Sequence, residues 1–240
     1  MNETAIDVLV ELGLPLALQT GLPGVDGVLR NNLLFGEASE LKGESGSGKS
    51  QLCYAIVANT LITTKFNVVW LDSNGSFRSS RLVQYINGRG VNETDVVNSL
   101  LDRMGVARVS DQAQLFEALE FIDDNMERNN IRLVVIDNVF EMFDDRQLPQ
   151  NLSRSAVFQS ILGRIGVLTD IGCTVLITNS EGEEKNDGKA AWMRRMKGQI
   201  LLKESGGLRT MHSFDAAADT PSRQCCFQIH DSGLGDVKNS

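Results

Sequence analysis

Apolar and polar positions along this chain follow two periods, and the switches between them mark its elements. Residues 66–72, 133–137 and 173–179 are short apolar runs rich in valine, isoleucine and leucine. Runs of that length and composition predict buried strands. Residues 51–58, 81–86, 114–122 and 156–168 instead carry apolar residues at helical spacing, and residues 38–42 and 106–109 fit two further short strands. Strands alternating with helices predict βαβ units and a parallel sheet covered on both faces. After residue 180 the pattern breaks. A polar segment runs to about Gly198, then strand-like pieces follow at 199–203, 208–213 and 225–230. These predict an antiparallel extension of the sheet. Ahead of all this, residues 1–14 hold Ile6, Val8, Leu9, Val10, Leu12 and Leu14, closed by Pro15. That stretch is too short for a domain; it fits a cap helix on the core or a partner-binding arm.

Composition narrows the class. A chain of 240 residues suffices for one large α/β domain with a substantial core. No apolar run approaches the ~20 residues a membrane span needs, and the first residues lack the basic and apolar regions of a signal peptide. Cys53, Cys173, Cys225 and Cys226 show no metal-ligand spacing, which fits a reducing intracellular compartment. The net charge of −8 argues against a broad basic surface that grips nucleic acid unaided, while leaving room for a local basic loop.

The chemistry concentrates at residues 43–50. Gly43, Glu44, Ser45, Gly46, Ser47, Gly48, Lys49 and Ser50 form a complete G-x-x-x-x-G-K-[ST] phosphate-binding loop. It lies between a predicted strand and a predicted helix that opens at Ser50 and Gln51, the setting the motif requires. Glycines let successive N–H groups turn toward phosphate oxygens. Lys49 supplies an ammonium for the β and γ phosphates, the Ser50 hydroxyl a ligand for Mg²⁺, and the helix start a positive dipole end. Residues 133–137 then end in Asp137, at the strand end where open α/β sheets place ligands. Beside a phosphate loop, such an Asp is a candidate second Mg²⁺ partner.

With these motifs on the page, the chain resembles the RecA-type strand-exchange recombinases, in their eukaryotic paralog branch. The resemblance covers residues 20–240. Thr20 and Gly21 with Asp26 and Leu29 match the family's opening T-G and D-x-x-L. Residues 71–82 are similar to its signature [YI]-D-T-E-G-T-F-R-x-x-R-L, residues 177–179 to its I-T-N-Q strand, and residues 227–236 to its F-x-I-x-x-x-G-[IV]-x-D. The resemblance implies an RecA-like ATPase core over 20–240, with 1–19 as arm or cap. It also implies bound ATP and Mg²⁺, a nuclear protein, and work on single-stranded DNA in homologous recombination repair.

Departures from the pattern bear on mechanism. Asn74 stands at the family's catalytic glutamate. An amide orients water but cannot accept its proton, and loss of a general base costs about 10²–10⁴-fold. Ser180 stands where the family has a glutamine that senses the γ-phosphate, and serine is shorter. Asp72 is a possible substitute base or an organiser of the Mg²⁺ shell. Two family loops bind DNA. The first, residues 143–153, carries two acids and one arginine and is a poor phosphate contact. The second, residues 181–199, concentrates Lys189, Trp192, Arg194, Arg195 and Lys197, cations beside an aromatic that suit single-strand binding. Phe-x-x-Ala patterns occur at 35–38 and 214–217; the family's N-terminal DNA-binding domain and oligomerisation linker do not stand before residue 20. The expectation is a paralog that joins another paralog and assists the main recombinase. The rivals are a DNA-dependent ATPase that performs strand exchange itself, a P-loop small-molecule kinase, and a scaffold whose loop stays empty.

Overall fold

The described strands assemble into one nine-stranded sheet. A computed structural model describes residues 17–29, 33–139, 154–180, 189–214 and 221–237. Helix α1 (Pro23–Leu29) leads to strand β1 (Ala38–Gly43) and helix α2 (Lys49–Thr63). There follow β2 (Asn67–Asp72), α3 (Ser79–Gly88), α4 (Thr94–Leu101), β3 (Met104–Arg108), α5 (Gln112–Asn125) and β4 (Ile131–Asp137). The remainder is α6 (Arg154–Asp170), β5 (Thr174–Ser180), α7 (Lys189–Arg195), β6 (Met196–Ser205), β7 (Leu208–Phe214), β8 (Pro221–His230) and β9 (Gly233–Asp236). The sheet order is β3-β2-β4-β5-β1-β6-β7-β8-β9. The first six strands in that order pair in parallel, and β6 to β9 continue antiparallel. This is the α/β architecture with an antiparallel C-terminal extension expected above.

Register explains where a ligand can sit. Gly43 of β1 lies opposite Ser180 of β5, and Asp137 of β4 lies opposite both Asp72 of β2 and Thr178 of β5. The C-terminal ends of β2 and β4 finish level, and those of β1 and β5 run two residues further on the same side of the sheet. The alternation along β4 sorts the core: Leu133 and Val135 face the layer of α2, α3 and α4, while Val134 and Ile136 face that of α5, α6 and α7. Helix α2 is buried on nearly every side, from Leu52 through Ala58, which accounts for its almost unbroken apolar sequence.

Some elements escaped the sequence pattern. Helix α4 buries Val97 and Leu100 and was assigned no element in the sequence. Helix α7 lies inside the stretch read as polar, and β9 is four residues long. The third strand is shifted to Met104–Arg108. Residues 17–19, grouped with the arm, already join the core: Leu18 is buried, and Ala17 bridges Leu34. The start of the fold is fastened to its end. Gly24 N–H donates to the Asp236 carboxylate at 3.0 Å, Arg223 donates to the Gly27 carbonyl at 3.0 Å, and α1 packs on β7, β8 and β9. All four cysteines are free thiols, with Cys53 and Cys173 buried. Among the described residues, no helix is long and apolar enough to cross a membrane.

Candidate nucleotide site

Backbone geometry builds the phosphate loop. Gly43 leaves β1 at φ 154°, and a Cβ there would meet the Leu202 carbonyl oxygen at 2.3 Å. Gly48 sits at φ 103° as the N-cap of α2. Both positions demand glycine, one for space and one for conformation. No side chain caps α2, so its first N–H groups stay open to a ligand. Lys49 curls back over the loop, its ammonium donating to the carbonyls of Gly43 at 2.7 Å and Glu44 at 2.9 Å. Ser45, Gly46, Gly48, Lys49, Ser50 and Gln51 all line one cleft of about 560 Å³. Ser47 turns inward instead and is buried.

Asp137 closes the cleft from the sheet side. Its carboxyl is buried, with Oδ1 accepting from the Thr178 hydroxyl at 2.5 Å. Burial pushes this carboxyl above the ordinary carboxylate range, while hydrogen bonds from Thr178 and Ser50 pull the other way. Its Oδ2 is buried without a hydrogen-bond partner among the described residues. An orphaned carboxylate oxygen beside the Ser50 hydroxyl is an all-oxygen donor pair, which suits Mg²⁺ completed by water and phosphate. No group of three or more His, Cys, Asp or Glu side chains forms a metal cage among the described residues, and Mg²⁺ bound with phosphates needs none.

The neighbouring strand ends hold the polar groups that set the site's chemistry. Asn74 is exposed on the loop after β2, its Oδ1 accepting from Ser76 N–H at 2.9 Å. Asn138 donates to the Ser180 hydroxyl at 3.4 Å, and its own N–H is fixed by the Ser73 hydroxyl at 2.8 Å. Asn74, Asn138 and Ser180 all face the same cleft as Lys49. Asp72 does not: its carboxylate accepts from the N–H groups of Gly75, Ser76 and Phe77, and Arg108 stands 3.6 Å away. It shapes the Asn74 loop, and those three N–H groups and Arg108 occupy its carboxylate.

Other cleft residues were not singled out as site residues in the sequence. Arg81 of α3 donates to Gln51 and Gln84 and to the carbonyls of His230 and Asp231. Arg209 of β7 and the β8–β9 turn complete the wall. They come from distant elements, a helix and three strands, and a single cation in such a run carries no local signal. Glu40 was likewise missed. It is fully buried in β1, and its Oε1 accepts from Trp192 Nε1 at 2.8 Å and from Asn179 Nδ2. Lys42 lies 3.2 Å from its Oε2. Burial raises this carboxyl, opposed by Lys42 and both hydrogen bonds.

That network corrects one expectation about the basic segment. Trp192 is 1% exposed, packed on Phe158 with ring centroids 5.2 Å apart. It is a core side chain and offers no face to a base. Arg195 lies half-buried against Gly166 of α6, while Arg194 and Lys197 are exposed. Lys197 also acts on the Glu37 carboxyl, which burial raises and this ammonium lowers. Lys189 opens α7. The first loop at 143–153, residues 181–188, and residues 215–217 of the second Phe-x-x-Ala pattern lie outside the described residues.

Fold and cleft together define a RecA-like P-loop protein: a β1–loop–α2 phosphate cradle, an Asp at the end of β4, and an antiparallel tail. The Rad51 family profile matches residues 15–237, and the chain belongs to that family. RAD51-like protein 1 of Caenorhabditis briggsae is 34% identical over 74% of this chain and 69% of its own length. RAD51-like protein 1 of Caenorhabditis elegans is 29% identical over 98% of this chain and 96% of its own length. DNA repair protein RAD51 homolog 4 of Bos taurus is 27% identical over 72% of this chain, which covers 55% of that protein.

Proposed function

We propose that this chain is a recombinase paralog that binds Mg–ATP, joins at least one other Rad51-family protein, and assists recombinase filaments on single-stranded DNA during homologous recombination repair in the nucleus. The observation that carries the nucleotide half is the convergence of Lys49, the uncapped start of α2 and the orphaned Asp137 Oδ2 on one cleft. Similarity to proteins named for DNA repair supports the other half. When bound, Mg²⁺ supplies a positive charge that neutralises phosphate oxygens. Ser50 and Asp137 hold its shell, and the loop amides with Lys49 hold the phosphates.

Asn74 sets the expected chemistry. Its amide can orient a water but takes no proton from it, so this chain uses nucleotide chiefly as a structural ligand, at a subunit boundary. Exposed Arg194 and Lys197, together with Lys189, offer cations to a strand's phosphates. The test has two parts. Mg–ATP binding is measured by fluorescent-nucleotide titration for wild type and Lys49→Ala, with a loss of about 100-fold expected. The dissociation rate of the recombinase from single-stranded DNA is then followed with and without this protein and its co-purifying partner. A changed rate that Lys49→Ala abolishes supports the reading. Unchanged nucleotide affinity in Lys49→Ala, or an unchanged filament lifetime, overturns the corresponding half.

A further inference from the structure

Arg209 stands over the phosphate loop, although it comes from the antiparallel tail 160 residues after Lys49. Its Cδ would lie 3.1 Å from a Cβ placed on Gly48, and its Nη2 reaches the Gly46 carbonyl only at 3.5 Å. Its Nη1 makes one other long contact, 3.4 Å to the Gly207 carbonyl. Its Nε is buried with no hydrogen-bond partner among the described residues. The cleft's other cations are better satisfied. Arg81 donates to four acceptors, and Lys49 donates to two loop carbonyls at short distance. A half-buried guanidinium with an idle donor, in a wall shared with Lys49 and Ser50, is under-used unless an anion arrives. Guanidinium is the side chain best matched to forked phosphate contact.

We propose that Arg209 is a second phosphate-binding cation, supplied in cis by β7, that grips the α and β phosphates from the side of the loop opposite Lys49. The position follows from the two anchors. The ammonium is held at Gly43 and Glu44, whereas the guanidinium lies over Gly46 and Gly48, the backbone stretch that cradles the α and β phosphates in such loops. Arg209 therefore acts on the part shared by ADP and ATP. Gly48 needs to be glycine partly because that side chain passes across it. The inference deepens the nucleotide-binding reading and rests on it.

The test compares Arg209→Met, which keeps the stem, and Arg209→Lys, which keeps the charge, with wild type. Binding of a fluorescent ADP and of a slowly hydrolysed ATP analogue is titrated with Mg²⁺ present. Melting curves without nucleotide report folding. Arg209→Met is expected to melt with wild type and to bind both nucleotides about 10-fold or more weakly. Arg209→Lys is expected to recover part of that loss, since a point charge replaces the fork. If wild type binds both nucleotides and Arg209→Met stays within about twofold of it, the Arg209 role is overturned and the nucleotide-binding reading stands. A loss confined to the ATP analogue overturns the placement on the α and β phosphates. If wild type binds neither nucleotide, both readings fall.

Discussion

The phosphate loop and helix α7 flank the same strand, β1, and both bring cations to it, yet they are held in opposite ways. The loop is fixed by its own backbone: glycines at positive φ, a lysine curled onto carbonyls five and six residues away, and an uncapped helix start. Helix α7 is anchored by an indole that reaches a carboxylate 152 residues earlier. A locally specified site announces itself in sequence. A site specified by a distant partner does not, and its most conspicuous residue can have the least expected role.

Trp192→Ala is the strongest way to break this contrast. It opens a cavity beside Phe158 and leaves buried Glu40 short of a donor, which should cost about 3–5 kcal/mol and lower the melting point by roughly 6–20 °C. A drop under ~1 kcal/mol would mean that α7 is anchored elsewhere. Gly48→Ala attacks the other region through its backbone. A side chain at φ 103° should cost about 1–3 kcal/mol and crowd Arg209; unchanged melting and nucleotide affinity would show that the loop tolerates another conformation.

Glu40→Gln sharpens the contrast through pH. Burial raises the Glu40 carboxyl above its ordinary 4.5 in the fold. Ionisation therefore costs the folded state more than the unfolded one. That penalty is absent below pH 4.5 and grows as pH rises through the folded value. Glutamine keeps the Oε1 acceptor and never ionises, so the melting point of Glu40→Gln minus that of wild type should climb between pH 4.5 and 8. A flat difference would show that Lys42 and the two hydrogen bonds fully offset burial. The smallest effect belongs to the exposed cation Arg194. Arg194→Ala should leave stability within about 0.5 kcal/mol while reducing the salt slope of single-strand binding by roughly 0.7. An unchanged slope would remove Arg194 from the DNA surface.

The contrast also accounts for what could be read in advance. Strands β2, β4 and β5 were legible because their middles are buried and carry runs of apolar residues; Asp137 stood out as the polar residue ending such a run. Helix α4 was passed over because it is only eight residues long, its stripe being Val96, Val97, Leu100 and Leu101. Arg209 and Arg81 were invisible as site residues because the sheet order, not the sequence order, brings β7 and α3 beside the loop. Trp192 misled because an aromatic among cations fits a stacking surface and a buried helix face equally well. Only its partner decides, and Glu40 itself sits unannounced in a strand of six residues.

The fastening of α1 to the final strands bears on how the protein is made. Residues 23–29 are made well before their partners: Asp236 follows Gly24 by 212 residues and Arg223 follows Gly27 by 196, and the β7–β9 surface also comes late. At about 5–20 residues per second, that helix waits on the order of ten seconds or more with its apolar face uncovered. The α/β core can close around β1, β2, β4 and β5 during this interval, and docking of α1 becomes a late event that depends on the last strands. Chaperone demand should therefore fall on α1, and a nascent chain halted before residue 236 should remain sensitive to proteolysis near residue 24.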